Sequence, residues 1–443
     1  MKPFVAIVGK ANVGKSTFFN KVSGDRKSIV LDVAGVTRDR LYADAEWLGR
    51  QFTLIDTGGI QIKSDDKMAV HIRRQVEIAL DLAQVVLFFV DGKNGLTSED
   101  YEVASLVRKT EKPVFLVVNK IDNFRDLDLS DFYSLGIGED VFPISSEHLM
   151  GVGDLLDEVI RYFPETDGEE DEDRIKIAVV GKPNAGKSSL TNCILGYDRT
   201  IVSNIAGTTR DAIDTPFDYD GRKYTIIDTA GIRRKRSIED ASVEAYSVMR
   251  ALGAIRRCDV CLVVLDAGEE LSEQDVRIAG YAHEQGKPTV IVLNKWDLIE
   301  KDTFTIEKYK KKLAADLAFM DYFRYITVSA KTGQRLPKLM TMIDEVYANS
   351  CFRASTGVLN DVLADMTAAV EPPSKNGRRL KIKYITQPVT RPPTFVLFVN
   401  DSNLMHFSYK RYIENELRKS FNLSGTPMKL FVRSSGEKDD GLK

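Results

Sequence analysis

The chain has 443 residues, of which 43% are hydrophobic and 29% charged, with a formal net charge of −3. That length is too great for one core and sets an expectation of about three domains in a soluble globular protein. Its most apolar runs, such as Val85 to Val90, are far shorter than the roughly 20 residues a membrane-spanning helix needs.

Met1-Lys2 leads straight into a core strand, so no secretory pattern is expected. Four cysteines in this length point to a reducing compartment, the cytoplasm. Cys258 and Cys261 have C-x-x-C spacing but start an apolar run with no second Cys/His pair near, and read as core packing. No metal-ligand spacing links His71, His148, His283 and His406. Charge is unevenly spread. Ser374 to Arg433 carries 12 Lys/Arg against 3 Asp/Glu, a basic C-terminal module on an acidic body, which suits a polyanionic partner.

In chain order, the strand Phe4 to Val8 is followed by Gly9-Lys10-Ala11-Asn12-Val13-Gly14-Lys15-Ser16. The spacing G-x-x-x-x-G-K-S between strand and helix is that of a phosphate-cradling loop. Glycines let the backbone wrap closely, so successive N–H groups and a helix N-terminus face the anion. Lys15 is placed to reach β- and γ-phosphates, and the Ser16 hydroxyl to ligate Mg²⁺. Further apolar runs at Phe52–Ile55, Val85–Val90 and Val114–Val118 alternate with amphipathic stretches Met68–Leu82 and Ser98–Lys109. That alternation predicts a parallel-dominated α/β sheet flanked by helices, with ligands at the carboxyl ends of the strands. This first domain is expected over residues 1–163.

Residues 164–173 hold seven acids and no base, and read as a solvated linker. Residues 174–348 then repeat the first domain. Gly181-Lys182-Pro183-Asn184-Ala185-Gly186-Lys187-Ser188 lies 172 residues after the first loop, and Tyr224–Ile227, Cys261–Leu265 and Thr289–Leu293 match the strands. An internal repeat of domain length means duplication. Residues 349–443 read as α-β-β-α-β: helix Thr356–Val370, strands Leu380–Thr386 and Thr394–Val399, helix Tyr409–Lys419 and strand Met428–Val432, with a disordered tail.

Two N-K-x-D segments choose the base: Asn119-Lys120-Ile121-Asp122 and Asn294-Lys295-Trp296-Asp297. An aspartate accepts two hydrogen bonds from guanine, at N1–H and the exocyclic amine. Adenine offers neither and leaves the carboxylate unpaired. The lysine stem can lie over the base. Asp56-Thr57-Gly58-Gly59 and Asp228-Thr229-Ala230-Gly231 have D-x-x-G spacing, in which the Asp holds the Mg²⁺ hydration shell and the last glycine amide meets the γ-phosphate. Thr37 and Thr209 can each add a hydroxyl to Mg²⁺. Ser145-Ser146 and Ser329-Ala330 follow a last strand, where their amides are placed to meet the guanine oxygen.

Taken together, these motifs make the chain resemble the Der (EngA) family, bacterial GTPases with two tandem G domains and a C-terminal KH-like domain. The resemblance covers essentially the whole chain. It implies a role in assembling the large ribosomal subunit, in contact with rRNA and ribosomal proteins; no membrane partner is expected, and a monomer is. Ras-like GTPases place a glutamine after D-x-x-G to orient the attacking water. Here Ile60 and Ile232 stand there, and Gln61 is one residue late. The family belongs to a class in which a P-loop asparagine helps hold potassium, and Asn12 and Asn184 match it. Slow, potassium-stimulated hydrolysis is therefore expected, with Lys15, Asn12, Thr37, Lys187, Asn184 and Thr209 as the catalytic set. Two departures make the sites unequal: Lys10-Ala11 in place of Arg-Pro in the first loop, and the basic run Arg233 to Arg236 after the second D-x-x-G. The rival readings are a GTP-gated RNA- or ribosome-binding scaffold with little hydrolysis, and a GTPase tied to RNA modification. No G-x-x-G loop lies between Leu380 and Arg433, so the basic surface, including Lys381, Lys383, Lys410, Arg411, Arg418 and Lys419, is the candidate RNA contact.

Overall fold

The computed structural model describes residues 3–23, 29–30, 40–56, 76–77, 80, 83–123, 128–138, 140–163, 174–202, 214–228, 242–300, 302–375 and 377–434. The chain forms two compact units, residues 1–170 and 171–443.

In the first unit the apolar runs become β1 (Phe4–Val8), β4 (Arg50–Asp56), β5 (Val85–Asp91) and β6 (Val114–Asn119). Every residue of β1 and β5 is buried. The reason is that both faces of the sheet are covered, so the sequence shows continuous apolar runs instead of alternation. Val5, Ile7, Leu87 and Phe89 pack with Phe18 of α1 (Lys15–Ser23) and Leu155 of α3 (Val152–Arg161). Ala6, Val8, Val86 and Phe88 pack on the other side with Val103 of α2 (Ser98–Val107).

The sheet order is β2-β3-β4-β1-β5-β6-β7, with β2 (Ile29–Val30), β3 (Arg40–Trp47) and β7 (Val141–Pro143). β3 runs antiparallel to β4 and was not among the expected strands. Its charged, alternating sequence suits an antiparallel hairpin on the outer side of the sheet, just inside β2, and the turn is made by Leu48 and Gly49 at φ 45° and 78°. The helix expected over Met68–Leu82 falls almost wholly outside the described residues.

In the second unit the same topology recurs as β9-β10-β11-β8-β12-β13-β14. The strands are β8 (Ile175–Val180), β9 (Thr200–Val202), β10 (Thr215–Tyr219), β11 (Arg222–Ile227), β12 (Val260–Asp266), β13 (Thr289–Asn294) and β14 (Arg324–Thr327). Helices α4 (Lys187–Leu195), α5 (Ser242–Arg257), α6 (Glu273–Glu284), α7 (Thr305–Asp316) and α8 (Leu336–Cys351) complete it. Cys258 and Cys261 are buried, as core packing requires. In both sheets the first strand, β1 or β8, is central, and its neighbours connect in opposite directions. The crevice at its carboxyl end is where such sheets bind ligands.

The rest of the second unit has α9 (Thr356–Ala369), a short hairpin of β15 (Ser374–Lys375) and β16 (Arg378–Arg379), β17 (Ile382–Val389), β18 (Thr394–Val399), α10 (Phe407–Phe421) and β19 (Lys429–Ser434). β17 pairs antiparallel and β19 parallel with β18. The expected α-β-β-α-β order is present, with the small hairpin added between the first helix and the first strand.

This α+β module is joined to the second G domain by backbone bonds. Thr289 N–H donates to Gly425 O at 2.9 Å and Gly425 N–H to Tyr322 O at 2.7 Å. The Thr426 hydroxyl donates to Val346 O at 3.1 Å. Gly425 has φ 75°, and a Cβ there would sit 2.5 Å from Val346 Cγ2, so only glycine makes this approach. Arg418 lies over the Tyr322 ring, 4.7 Å from its centroid, and donates to Thr426 O at 2.9 Å. Arg418→Ala is expected to cost about 2–3 kcal/mol. It should lower the melting temperature of the second unit by roughly 6 °C. An unchanged melting curve would show that the guanidinium does not hold the two modules together.

Candidate nucleotide sites

Each phosphate loop leaves the carboxyl end of a central strand and feeds a helix N-terminus. Gly14 and Gly186 have φ 96° and 93°, and a Cβ on either would fall 2.1 Å from Nδ2 of Asn119 or Asn294. Glycine is therefore required twice over, by backbone angle and by the side chain lying against it. Those asparagines are staples. Asn119 Nδ2 donates to Val13 O at 2.7 Å, and Asn119 Oδ1 accepts from Ser146 N–H at 2.9 Å. Asn294 Nδ2 donates to Ala185 O at 3.0 Å, and its Oδ1 accepts from Ala330 N–H at 3.0 Å. Both side chains are buried, so each N-K-x-D asparagine binds three loops into one rigid frame.

Lys15 Nζ donates to Gly9 O at 2.8 Å and to Lys10 O, and Lys187 Nζ donates to Gly181 O and Lys182 O, both at 2.7 Å. An ammonium has three donors. The pair on Lys15 leaves one donor over in a buried position, which fits a phosphate oxygen. Burial depresses Lys15 to about 8, although Asp56 and Asp100 act to raise it. A bound polyphosphate favours the charged form, so proton uptake should accompany binding. GTP affinity at this site is then expected to fall as pH rises through about 8. Calorimetry at pH values on either side, in buffers of different ionisation enthalpy, checks it: zero proton uptake above pH 8 contradicts the linkage.

Asn12 and Asn184 are exposed and both sit at φ 64°, the left-handed region that asparagine tolerates. Ser16 Oγ donates to Asp56 Oδ2 at 2.7 Å, bringing the two expected Mg²⁺ groups of the first site together. The second site differs. Asp228 has φ 60°, and its Oδ1 lies 3.2 Å from an Arg250 guanidinium nitrogen on α5. That pairing, which the sequence did not suggest, neutralises the very carboxylate expected beside the metal.

At the base end, Lys120 Nζ bonds Asp91 Oδ2 at 2.7 Å and Lys295 Nζ bonds Asp266 Oδ2 at 2.5 Å. Lys120 and Lys295 have φ 70° and 60°. Burial pushes the Asp91 carboxyl up, but bonds from Lys120, Asn94 and Lys93 outweigh it and hold the group at about 2. The result is a fixed lysine stem at each base site. Asp122 accepts from Ser145 Oγ at 3.1 Å and from exposed Lys93 at 2.6 Å. Ser145 N–H is given to Met150 O at 2.9 Å and Ser146 N–H to Asn119, so these amides have protein acceptors.

Sequence reading also passed over two clamps. Lys10 Nζ bonds fully buried Asp100 at 2.8 Å, and Lys182 lies 3.5 Å from buried Asp275. Both aspartates close capping boxes, Thr97-x-x-Asp100 and Ser272-x-x-Asp275, as the third residue of their helices, a pattern visible in the sequence. Thr37, Thr57, Gly58, Gly59, Ile60, Gln61, Thr209, Thr229, Ala230, Gly231 and Ile232, with Arg233 to Arg236 and the acidic linker, lie outside the described residues. Among the described residues no helix is long and apolar enough to cross a membrane.

Residues 4–120 and 176–295 match the family described as 50S ribosome-binding GTPase. Residues 353–433 match the KH-domain-like C-terminal family of EngA bacterial GTPase enzymes. GTPase Der of Acetivibrio thermocellus is 56% identical over 435 residues, covering 98% of both chains. GTPase Der of Ruminiclostridium cellulolyticum is 55% identical over 442 residues, covering 99% of this chain and all of that one.

This chain belongs to the Der family of GTPases.

It accordingly has two tandem G domains and a KH-like domain, and it hydrolyses GTP to GDP and phosphate with Mg²⁺. Ser16 and Asp56, which lie together in the first domain, would hold Mg²⁺, which would supply positive charge against that developing on phosphate oxygens. Within the chain, the ammonium groups of Lys15 and Lys187 stand at the two phosphate loops, and Asn119 and Asn294 hold each base loop in a fixed relation to its phosphate loop.

Proposed function

We infer that both G domains bind and hydrolyse GTP, and that the chain is a monomeric cytoplasmic switch in maturation of the large ribosomal subunit, contacting rRNA and ribosomal proteins. The observation that carries the two-site reading is the duplicated frame: at 119 and at 294 an asparagine ties phosphate loop to base loop with the same two bonds. The domains are assigned as 1–163, 164–173 (linker), 174–348 and 349–443. Ser16, Asp56 and Thr37 serve Mg²⁺ at the first site, and Ser188, Asp228 and Thr209 at the second. Asn12 and Asn184 hold potassium beside the phosphates, where it supplies positive charge to their oxygens.

The test is GTP turnover in potassium against sodium at fixed ionic strength. Because both asparagines have φ 64°, Asn12→Gly and Asn184→Gly keep the loop shape and remove only the carboxamide. Potassium should stimulate the wild-type chain about ten-fold, equivalent to roughly 1.4 kcal/mol of barrier. The double glycine variant should show equal rates in both salts. Equal rates in wild type would sink the potassium role. Turnover no faster than background would favour the GTP-gated scaffold, a reading the Asp228–Arg250 pair supports for the second site.

A further inference from the structure

The three-stranded sheet of the KH-like domain has two chemically different faces. Ile385, Phe395, Leu397, Val399 and Leu430 turn inward and join the core with α9 and α10. On the opposite face the register sets Tyr384 beside Phe398 and Phe398 beside Arg433. The next row is Thr386, Val396 and Phe431, followed by Thr394 and Lys429.

Tyr384 and Phe398 are stacked, with ring centroids 4.4 Å apart and planes at 17°. Tyr384 is 42% exposed and Phe431 43%. Tyr384 stands on β17, an edge strand, so its ring ends the stack. The pairing shifts register between Ile382 and Tyr384, and exposed Lys383 is the residue at that bulge. β17, β18 and β19 contain no aspartate or glutamate.

A merely solvated sheet face carries polar residues of both charge signs and keeps large rings covered. Here exposed aromatic rings lie among cations, on strands that carry no acid of their own. That combination complements a polyanion whose repeating units carry flat π faces. A duplex hides its base faces, so the chemistry selects a single strand. We propose that this outer sheet face binds single-stranded RNA, with nucleobases stacking on Tyr384 and Phe431 and the phosphates meeting Lys383, Lys429 and Arg433. The mode differs from the G-x-x-G clamp, which this sequence lacks. The proposal rests on the ribosome-directed reading above and names the surface that serves it.

The experiment uses the full-length chain and a labelled single-stranded oligoribonucleotide of mixed sequence, about 12 nucleotides long. Fluorescence anisotropy should show tighter binding to the single strand than to the same strand annealed to its complement. Tyr384→Ser and Phe431→Ser should each weaken binding about ten-fold, and the pair about a hundred-fold. Tyr384→Phe, which keeps the ring, should bind like wild type, and GDP affinity should be unchanged throughout. No wild-type binding, a preference for duplex, or wild-type affinity in the double variant each overturns the proposal. If the double variant does not fold, photocrosslinking of the wild-type chain to a thiouridine-containing strand decides: crosslinks on β17 or β19 support the proposal, and crosslinks confined elsewhere overturn it. Cosedimentation of the wild-type chain with large ribosomal subunits is run in parallel. Its failure counts against the ribosome-directed reading alone.

Discussion

An Asp122→Asn chain is expected to bind GTP at its first site roughly a hundred-fold or more weakly, and to gain affinity for xanthosine triphosphate. The carboxylate of Asp122 is built to accept. Its oxygens already take bonds from Ser145 and Lys93, and Lys93 is exposed enough to yield to a base. Guanine presents two donors to such a group, and an asparagine amide matches only one of them, turning its own N–H₂ against the guanine amine. Xanthine carries an oxygen where guanine has that amine, and so restores two good bonds. The lost Lys93 contact contributes little, because it is a surface pair. Asp297→Asn should act in the same way on the second site. Equilibrium dialysis gives the readout: two GTP per wild-type chain, one for either single variant, none for the double at the same concentration, and two xanthosine triphosphates for the double. A stoichiometry that stays at two for Asp122→Asn removes that residue from base recognition.

Lys187→Met should slow hydrolysis at the second site by about 10²–10³-fold, the cost typical of removing one preorganised donor from a transition state whose charge lies on phosphate oxygens. Methionine keeps the length of the stem and removes only the ammonium that Gly181 O and Lys182 O now hold in place. Single-turnover phosphate release in a Lys15→Met background isolates this site, and the reverse pairing isolates the first. Because Arg250 faces Asp228 in the second site and Ser16 faces Asp56 in the first, the two isolated rates should differ. Equal rates would mean that the Arg250 pairing opens whenever nucleotide is bound. A Lys187→Met rate within a few-fold of its parent would place catalysis elsewhere.

Much of the architecture was legible because the central strands are buried on both faces. Phe4–Val8 is an unbroken apolar run for that reason, and the structure gives it the same bounds. The outer hairpins were missed for the opposite reason. Arg40–Trp47 and Thr215–Tyr219 lie one strand in from the sheet edge, beside β2 and β9, and their charged and polar residues hide the pattern. Asp220-Gly221, with φ 50° and 79°, was a hairpin signal available in the sequence and passed over. The motifs could be placed at strand ends by spacing alone. What spacing does not show is which atoms of a motif turn toward the protein. Asn119 and Asn294 reveal their role as staples only once the phosphate loop is folded across them. Arg250 carries no motif at all. Its partner lies 22 residues earlier and on a different element, a proximity that only the packed domain creates.

The bond between Thr289 and Gly425 bears on how such a chain can be cut, fused or inherited. β13 begins at that bond and ends, five residues on, at the asparagine that staples the second phosphate loop. A gene broken after Ser350 would yield a G domain whose fully buried Thr289 has lost the carbonyl that receives its N–H. It would also expose the surface that Val346 and Tyr322 now share with residues 425 and 426. The smallest fragment that can change hosts intact is therefore the second G domain with its C-terminal companion. Recombination that respects folding should exchange those two as a single cassette.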